Sequence, residues 1–134
     1  MSIISTIKRR FSKNSCTFIT EEMTFIDTLL KDKNQIHKLI NDTIQYKGNL
    51  TVKIRFYIAV LEYENTENFI DKNIKGRKII SLFIENGSLF QIINLSKYKT
   101  ILTDNTDILA TVKYDILTEL STNYDFSQVL QKYK

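Results

Sequence analysis

The sequence predicts a mixed α+β domain, in which an antiparallel sheet of three or four strands packs against an N-terminal helix or helix pair and a C-terminal helix. Two observations predict the sheet: residues 50–63 alternate between two faces, and Asn86-Gly87 stands between two apolar runs. Residues 98–102 add a short fourth strand. A third observation predicts the helices, because apolar residues recur every three or four positions in 20–47 and in 106–120.

The length of the chain is typical of one domain that buries its own core, at 134 residues. We expect a single domain, 1–134, made of a basic amphipathic segment, 1–13, and a globular part, 14–134. No apolar run is long enough to span a membrane, and no signal-peptide stretch is present. The single cysteine, Cys16, excludes a disulfide framework and favours a cytoplasmic protein. The lack of proline and tryptophan beside abundant Ile, Asn and Lys is typical of an AT-rich genome.

Residues 1–13 show an amphipathic pattern, with apolar side chains at helical spacing and basic side chains mostly on the other side. Four of the 19 basic residues occur here, before the first acid, and they equal the net charge of +4. These four residues are Lys8, Arg9, Arg10 and Lys13. Four interpretations stay open: a helix docked on the domain, a membrane-surface anchor, a mitochondrial presequence, or a basic arm that binds nucleic acid.

The first core helix or helix pair spans 20–47. Thr20 is a suitable N-cap before two glutamates, and Gly48 is a suitable residue to end the segment. The polar stretch 31–34 predicts either an exposed turn of one long helix or a break between two helices.

Three further helices are predicted. A short helix over 66–75 ends at Gly76, and a loop is the alternative because Asn68 and Asn73 disfavour a helix. The apolar side of this helix consists of Phe69, Ile70 and Ile74. A longer helix runs through 106–120 after a polar cap, and Asp125 caps a last short helix. The core stripe of the longer helix consists of Leu109, Val112, Ile116, Leu117 and Leu120.

The hairpin is the sharpest local signal. Asn-Gly favours a type I′ turn, in which both residues take positive φ, so strands 78–85 and 88–95 should pair around Asn86-Gly87. That register places Phe83 opposite Phe90. Both faces of the hairpin are apolar, so each must be covered by helices, by another sheet or by a second subunit.

No catalytic, cofactor or metal site is predicted. His37 is the only histidine and has no second histidine or cysteine at ligand spacing. Carboxylate pairs occur at Glu62 and Glu64 and at Asp104 and Asp107, but such pairs are more often solvated strand ends and helix caps. An enzyme of an unfamiliar type that uses Glu62, Glu64 or Asp107 is the third hypothesis. The three glycines are explained by turns and caps, which leaves no phosphate-binding loop.

Two non-enzymatic functions are favoured over the enzyme hypothesis. The first is a non-enzymatic protein-binding module, an inhibitor or immunity-type protein that blocks or bridges a partner, with homodimerisation through a sheet face as another use of the apolar surface. The alternative is a nucleic-acid-binding accessory protein. It would use the basic segment 1–13 and a patch within 77–99, where the hairpin register brings both strand ends together. The patch consists of Arg77, Lys78, Lys97, Tyr98 and Lys99.

Two groups of proteins are similar to the chain in size. Small viral Bcl-2-like antagonists share its length and composition but are all-helical, so the Asn86-Gly87 hairpin excludes them. Bacterial toxin-immunity proteins resemble it in size and in α+β architecture, which is a likeness of fold alone. Immunity proteins against nucleases are usually acidic, whereas this chain has a net charge of +4.

Overall fold

The computed structural model of the chain describes residues 19–46, 49–85, 87–92 and 105–134, and within these ranges it is all-helical, without a strand. The α-helices are α1 (Glu21–Lys31), α2 (Ile36–Ile44), α3 (Leu50–Glu64), α4 (Phe69–Ile79), α5 (Asn105–Thr122) and α6 (Tyr124–Leu130). A π-helical turn, Ile80–Ile84, extends α4, and a 3-10 turn, Gln131–Tyr133, extends α6. The predicted α+β class is therefore wrong.

Several sequence predictions lie outside the described residues, three of them concerning whole segments or a helix end. These three are the amphipathic segment 1–13, the helix-ending Gly48 and the strand 98–102.

The centre of the bundle is α3, against which α1, α2, α4 and α5 all pack. The second central helix is α5, which contacts α1, α3, α4 and α6. The core lies between and around these two helices, and Phe56, Tyr57 and Ile116 are among its fully buried side chains.

The strand predicted at 50–63 is helix α3. Its buried residues form two adjacent helical stripes. One stripe consists of Leu50, Ile54, Tyr57 and Leu61. The other consists of Phe56, Val60 and Tyr63. A helix that is covered on several sides needs apolar residues on most of its faces, so its sequence also fits an alternation with a period of two.

The predicted hairpin is a helix end followed by a loop. Residues 78–85 continue α4 through the π turn, in which the N–H of Glu85 donates to the carbonyl of Ile80 at 2.9 Å. The chain does turn at Gly87, which has the positive φ that was predicted for it (78°). Asn86, the other residue of the predicted turn, lies outside the described residues. The strands 78–85 and 88–95 are thus wrong wherever the structure describes them.

The return loop after Gly87 covers the end of α4. The N–H of Phe90 donates to the carbonyl of Leu82, and the N–H of Ile92 donates to the carbonyl of Phe83, both at 2.9 Å. These bonds satisfy carbonyls that a helix end leaves without an internal partner. The rings of Phe83 and Phe90, which the hairpin register placed opposite each other, do lie near each other, with centroids 5.8 Å apart.

The fold also changes the two likenesses in size. The exclusion of all-helical viral antagonists depends on the hairpin, so it no longer holds. The likeness to immunity proteins in α+β architecture is lost as well, because the described part of the chain has helices alone. The immunity proteins now resemble the chain in size alone. The viral antagonists resemble it in size and in being helical, which is no evidence of relationship.

The helices at 20–47 are confirmed as the pair α1 and α2. Thr20 caps α1, and its Oγ1 accepts a hydrogen bond from the N–H of Met23 at 3.1 Å. The break falls in the polar stretch, where Oδ1 of Asp32 accepts from the N–H of Asn34 at 2.9 Å. This side-chain turn gives the backbone an alternative to continuing the helix.

The C-terminal helices are close to the prediction. All five residues of the predicted core stripe of α5 are buried. The cap of α6 differs: Asn123, not Asp125, accepts the N–H of Phe126 on its Oδ1 at 2.8 Å. Asp125 instead lies in the first turn, where its charge is favourable to the helix dipole.

Candidate functional site

The orientation of α4 is opposite to the predicted one. Phe69, Ile70 and Ile74, predicted as its apolar side, are 75%, 68% and 60% exposed, whereas Gly76 and Ile79 are buried. The prediction ended this helix at Gly76. The helix in fact continues into the π turn Ile80–Ile84. The residues that face the core are therefore Gly76, Ile79, Phe83 and Ile84, and not those of the first turns of α4.

Gly76 determines the approach of α4 to α3. A Cβ built on Gly76 would lie 2.9 Å from Cε1 of Tyr63, so this contact requires a residue without a side chain. The ammonium group of Lys72, one turn earlier, lies 5.1 Å from the centroid of the same ring. At the start of the helix, Oδ1 of Asn68 accepts from the N–H of Asp71 at 3.0 Å. These contacts fix which side of α4 faces solvent.

The solvent side of α4 carries a narrow apolar stripe flanked by charges. Ile70 and Ile74 lie one turn apart, and Arg77 continues the stripe by another turn. Asp71 and Lys78 flank the stripe along one edge, two turns apart. We call these five exposed residues the α4 outer face. It is about 12 Å long at about 1.5 Å of rise per residue.

The charges of the α4 outer face are separated along the helix, with Asp71 near the start and Arg77 and Lys78 near the end. Within the described ranges, none of the three takes part in an ion pair. Lys75, on another side of α4, differs because its Nζ donates to Oγ1 of Thr66 at 3.0 Å. The charges of the α4 outer face are therefore open to a partner.

Other large apolar side chains are exposed elsewhere on the described surface. Ile44, the last residue of α2, is 59% exposed, and Tyr124, the first residue of α6, is also exposed. Leu89 and Phe90 lie in the return loop. None of these belongs to a stripe that repeats along a helix, which distinguishes them from Ile70 and Ile74.

The predicted basic patch does not form as expected. Arg77 and Lys78 are exposed on α4, where they are part of a helix and not of a strand end. The hairpin register that was to bring them beside Lys97, Tyr98 and Lys99 is absent, and those three residues lie outside the described ranges. The four basic residues of the N-terminal segment also lie outside them. These four are Lys8, Arg9, Arg10 and Lys13.

Of the residues considered for catalysis, His37, Glu62 and Glu64 are dispersed, whereas Asp104 and the side chain of Asp107 lie outside the part of the chain that the structure describes. His37 is exposed on α2. Glu62 and Glu64, predicted to share one strand face, point to different sides because they are two positions apart in a helix. Glu64 pairs with Lys113 at 2.9 Å. No group of three or more His, Cys, Asp or Glu residues suited to a metal occurs among the described residues.

A polar contact near the core was not visible in the sequence. The hydroxyl of Tyr57 in α3 donates to Oδ1 of Asp27 in α1 at 2.5 Å, and Lys31 pairs with the other carboxylate oxygen of Asp27 at 2.8 Å. The Nζ of Lys113 lies 5.7 Å from the centroid of the Tyr57 ring and bonds to Glu64, which links α1, α3 and α5. Burial, and then the hydrogen bond to Asp27, raises the pKa of Tyr57. Because its groups already satisfy one another, we interpret this contact as structural.

Comparison of the chain with protein-family models, with curated proteins and with solved structures finds no match in any of the three. No helix in the described residues has both the length and the hydropathy needed to cross a membrane. The function must therefore be argued from the surface of this chain, and its most distinctive part is the α4 outer face.

Proposed function

We propose that the chain is a non-enzymatic, cytoplasmic protein-binding module that acts through the α4 outer face, as an inhibitor or immunity-type protein that blocks or bridges a partner. The observation that carries the proposal is the exposure of Ile70 and Ile74 on successive turns of an ordered helix. Single exposed apolar residues are common on protein surfaces, whereas two that are neighbours on one helix form a small contiguous apolar patch that a partner could cover.

The energetics support this use of the α4 outer face. Complete burial of an isoleucine side chain contributes about 1.5–3 kcal/mol, and the isolated domain gains little of it at Ile70 or Ile74. A partner that covers both would recover this free energy at the centre of the contact. The flanking charges would lie at the rim, where they affect orientation and association rate more than affinity.

The proposal can be tested with two glutamate variants of nearly equal exposure. Ile74→Glu places a charge in the stripe, and Ile44→Glu is the matched control on α2, since the two isoleucines are 60% and 59% exposed. Tagged full-length chains would capture partners from the native source, followed by mass spectrometry and measurement of Kd with the purified partner. We expect Ile74→Glu to weaken binding at least about tenfold and Ile44→Glu to leave it unchanged. Equal binding by Ile74→Glu and the wild type would refute the proposal.

Nucleic-acid binding is the second candidate, and the distribution of charge along the sequence favours it. Lys8, Arg9, Arg10 and Lys13 precede the first acidic residue, Glu21, and together equal the net charge of +4. Binding that uses these residues should fall steeply as salt concentration rises, because phosphate contacts release counterions. A fluorescence titration with DNA and RNA at low salt tests this. Absence of binding, or binding that is unchanged when residues 1–13 are deleted, would contradict it.

A further inference from the structure

We infer that the partner of the α4 outer face is a second copy of this chain, and that the two α4 helices pair antiparallel about a two-fold axis at Ile74. This inference rests on the proposed function, because it uses the same surface, and of the two actions proposed there it takes bridging, with a second copy of the chain as the bridged partner. It replaces the sheet-face homodimer expected from the sequence, since the described residues contain no sheet.

The residue spacing of α4 determines the contacts of such a pair. In an antiparallel helix pair with two-fold symmetry, residues on the same edge and at similar distances from the axis face each other. Ile74 then meets Ile74 of the second copy. Ile70 lies against the aliphatic stem of Arg77 of the second copy, and Asp71 lies opposite Lys78 of the second copy. Each of the last two contacts occurs twice.

The charges select this arrangement over its alternatives. A parallel pair with two-fold symmetry would bring opposite edges of the two helices together, so Lys78 of each copy would lie beside Arg77 of the other and Asp71 beside Ile70. Like charges would then repel at the C-terminal end, and Asp71 would have no opposite charge to face. A uniformly acidic partner would meet Asp71, and a uniformly basic one would meet Arg77 and Lys78. An antiparallel second copy matches every exposed charge of the α4 outer face with an opposite charge or an apolar contact.

The small size of the surface limits the strength of the association. A stripe of two isoleucines on an 11-residue helix falls at the low end of interface sizes, well under about 1,200 Å². The dimer is therefore weak and concentration-dependent. Its formation should also weaken with salt, because the Asp71–Lys78 pairs are exposed at its rim.

Sedimentation velocity of the full-length chain over a concentration series tests the inference. We expect a monomer–dimer equilibrium in the wild type and a Kd raised about tenfold in Asp71→Lys and in Lys78→Asp, because each reversal acts at two contacts. Mixing the two variants in equal amounts should restore association, since in the heterodimer position 71 of each copy again faces an opposite charge at position 78 of the other. The double variant Asp71→Lys/Lys78→Asp should dimerise with itself as the wild type does.

Circular dichroism and the thermal midpoint of each variant check that the fold is intact, and Ile44→Glu is the surface control. A wild-type chain that stays monomeric at its highest soluble concentration, or variants whose mixture stays as weakly associated as each alone, would overturn the inference. The proposed function is judged separately. If the wild type is monomeric but Ile74→Glu still loses a captured protein, the α4 outer face binds another protein and only the pairing is wrong. If neither dimerisation nor capture depends on Ile74, both are wrong.

Discussion

Gly76 of α4 lies directly against the ring of Tyr63 in α3. A methyl group at Gly76 would stand 2.9 Å from Cε1 of that ring, and Tyr63 is itself only 5% exposed. The ring has little room to move away, so this contact determines both the distance between the two helices and the side of α4 that faces solvent.

Gly76→Ala should therefore destabilise the fold. Alanine in a helix interior is favoured over glycine by about 1 kcal/mol, but overpacking a core contact costs about 1–3 kcal/mol. The net of these two effects is a fall of up to about 2 kcal/mol in the free energy of unfolding, measured in urea. Asn73→Ala, on the exposed side of the same helix, is the control and should raise it by a few tenths. A stabilised Gly76→Ala variant would show that Tyr63 moves freely.

Gly87 is required for the opposite reason. Its φ is 78°, and a Cβ there would have no atom within 4 Å, so a substitution meets conformational strain and no collision. Gly87→Ala should cost about 1–2 kcal/mol of unfolding free energy, and Gly87→Asn should recover part of that cost, since asparagine tolerates the left-handed region. Urea unfolding of the two variants distinguishes them. Equal costs for alanine and asparagine would contradict this account.

The Tyr57–Asp27 hydrogen bond should make stability depend on pH in alkaline solution. The pKa of Tyr57 is raised in the folded chain, chiefly by burial, so above about pH 10 the unfolded chain releases a proton that the folded chain keeps. The stabilisation is complete below that pH and is lost as pH rises, by up to about 1.4 kcal/mol per pH unit.

Tyr57→Phe provides the measurement. At neutral pH it should lower the free energy of unfolding by about 1.5–3 kcal/mol, because it removes a hydrogen bond to a carboxylate. The difference between the wild type and Tyr57→Phe should be constant from about pH 7 to 9 and should shrink from about pH 10 upward. Since the other ionisable groups are common to both chains, they largely cancel in the difference. A difference that stays the same at about pH 11 would contradict the raised pKa.

The helices that the sequence predicted correctly are those that have a single apolar side. The predicted core stripe of α5 is buried throughout, and Thr20 caps α1 as expected. Helix α3 was mistaken for a strand because it is surrounded by four other helices. Its apolar residues cover so much of its circumference that the helical period is hidden.

The sequence predicted which apolar residues belong to α4, but not that Ile70 and Ile74 face solvent. Ile70 and Ile74 were predicted as part of the apolar side of one helix, which is the side that usually faces a core. Their exposure depends on Gly76 and Tyr63, which are 13 positions apart in the sequence and meet only in the folded chain. No local pattern could reveal that contact. The presence of a glycine inside the helix was the one available signal, and it was interpreted as a helix end.

The central position of α3 has a consequence for synthesis of the protein. Thr122, the end of α5, is 58 residues after Glu64, the end of α3. At about 5–20 residues per second, the ribosome takes about 3–12 s to make that stretch. During this time α3 lacks α5, one of the four helices that pack against it in the folded chain, and part of its apolar surface stays uncovered. We expect the growing chain to engage chaperones until α5 emerges, however well the finished domain folds.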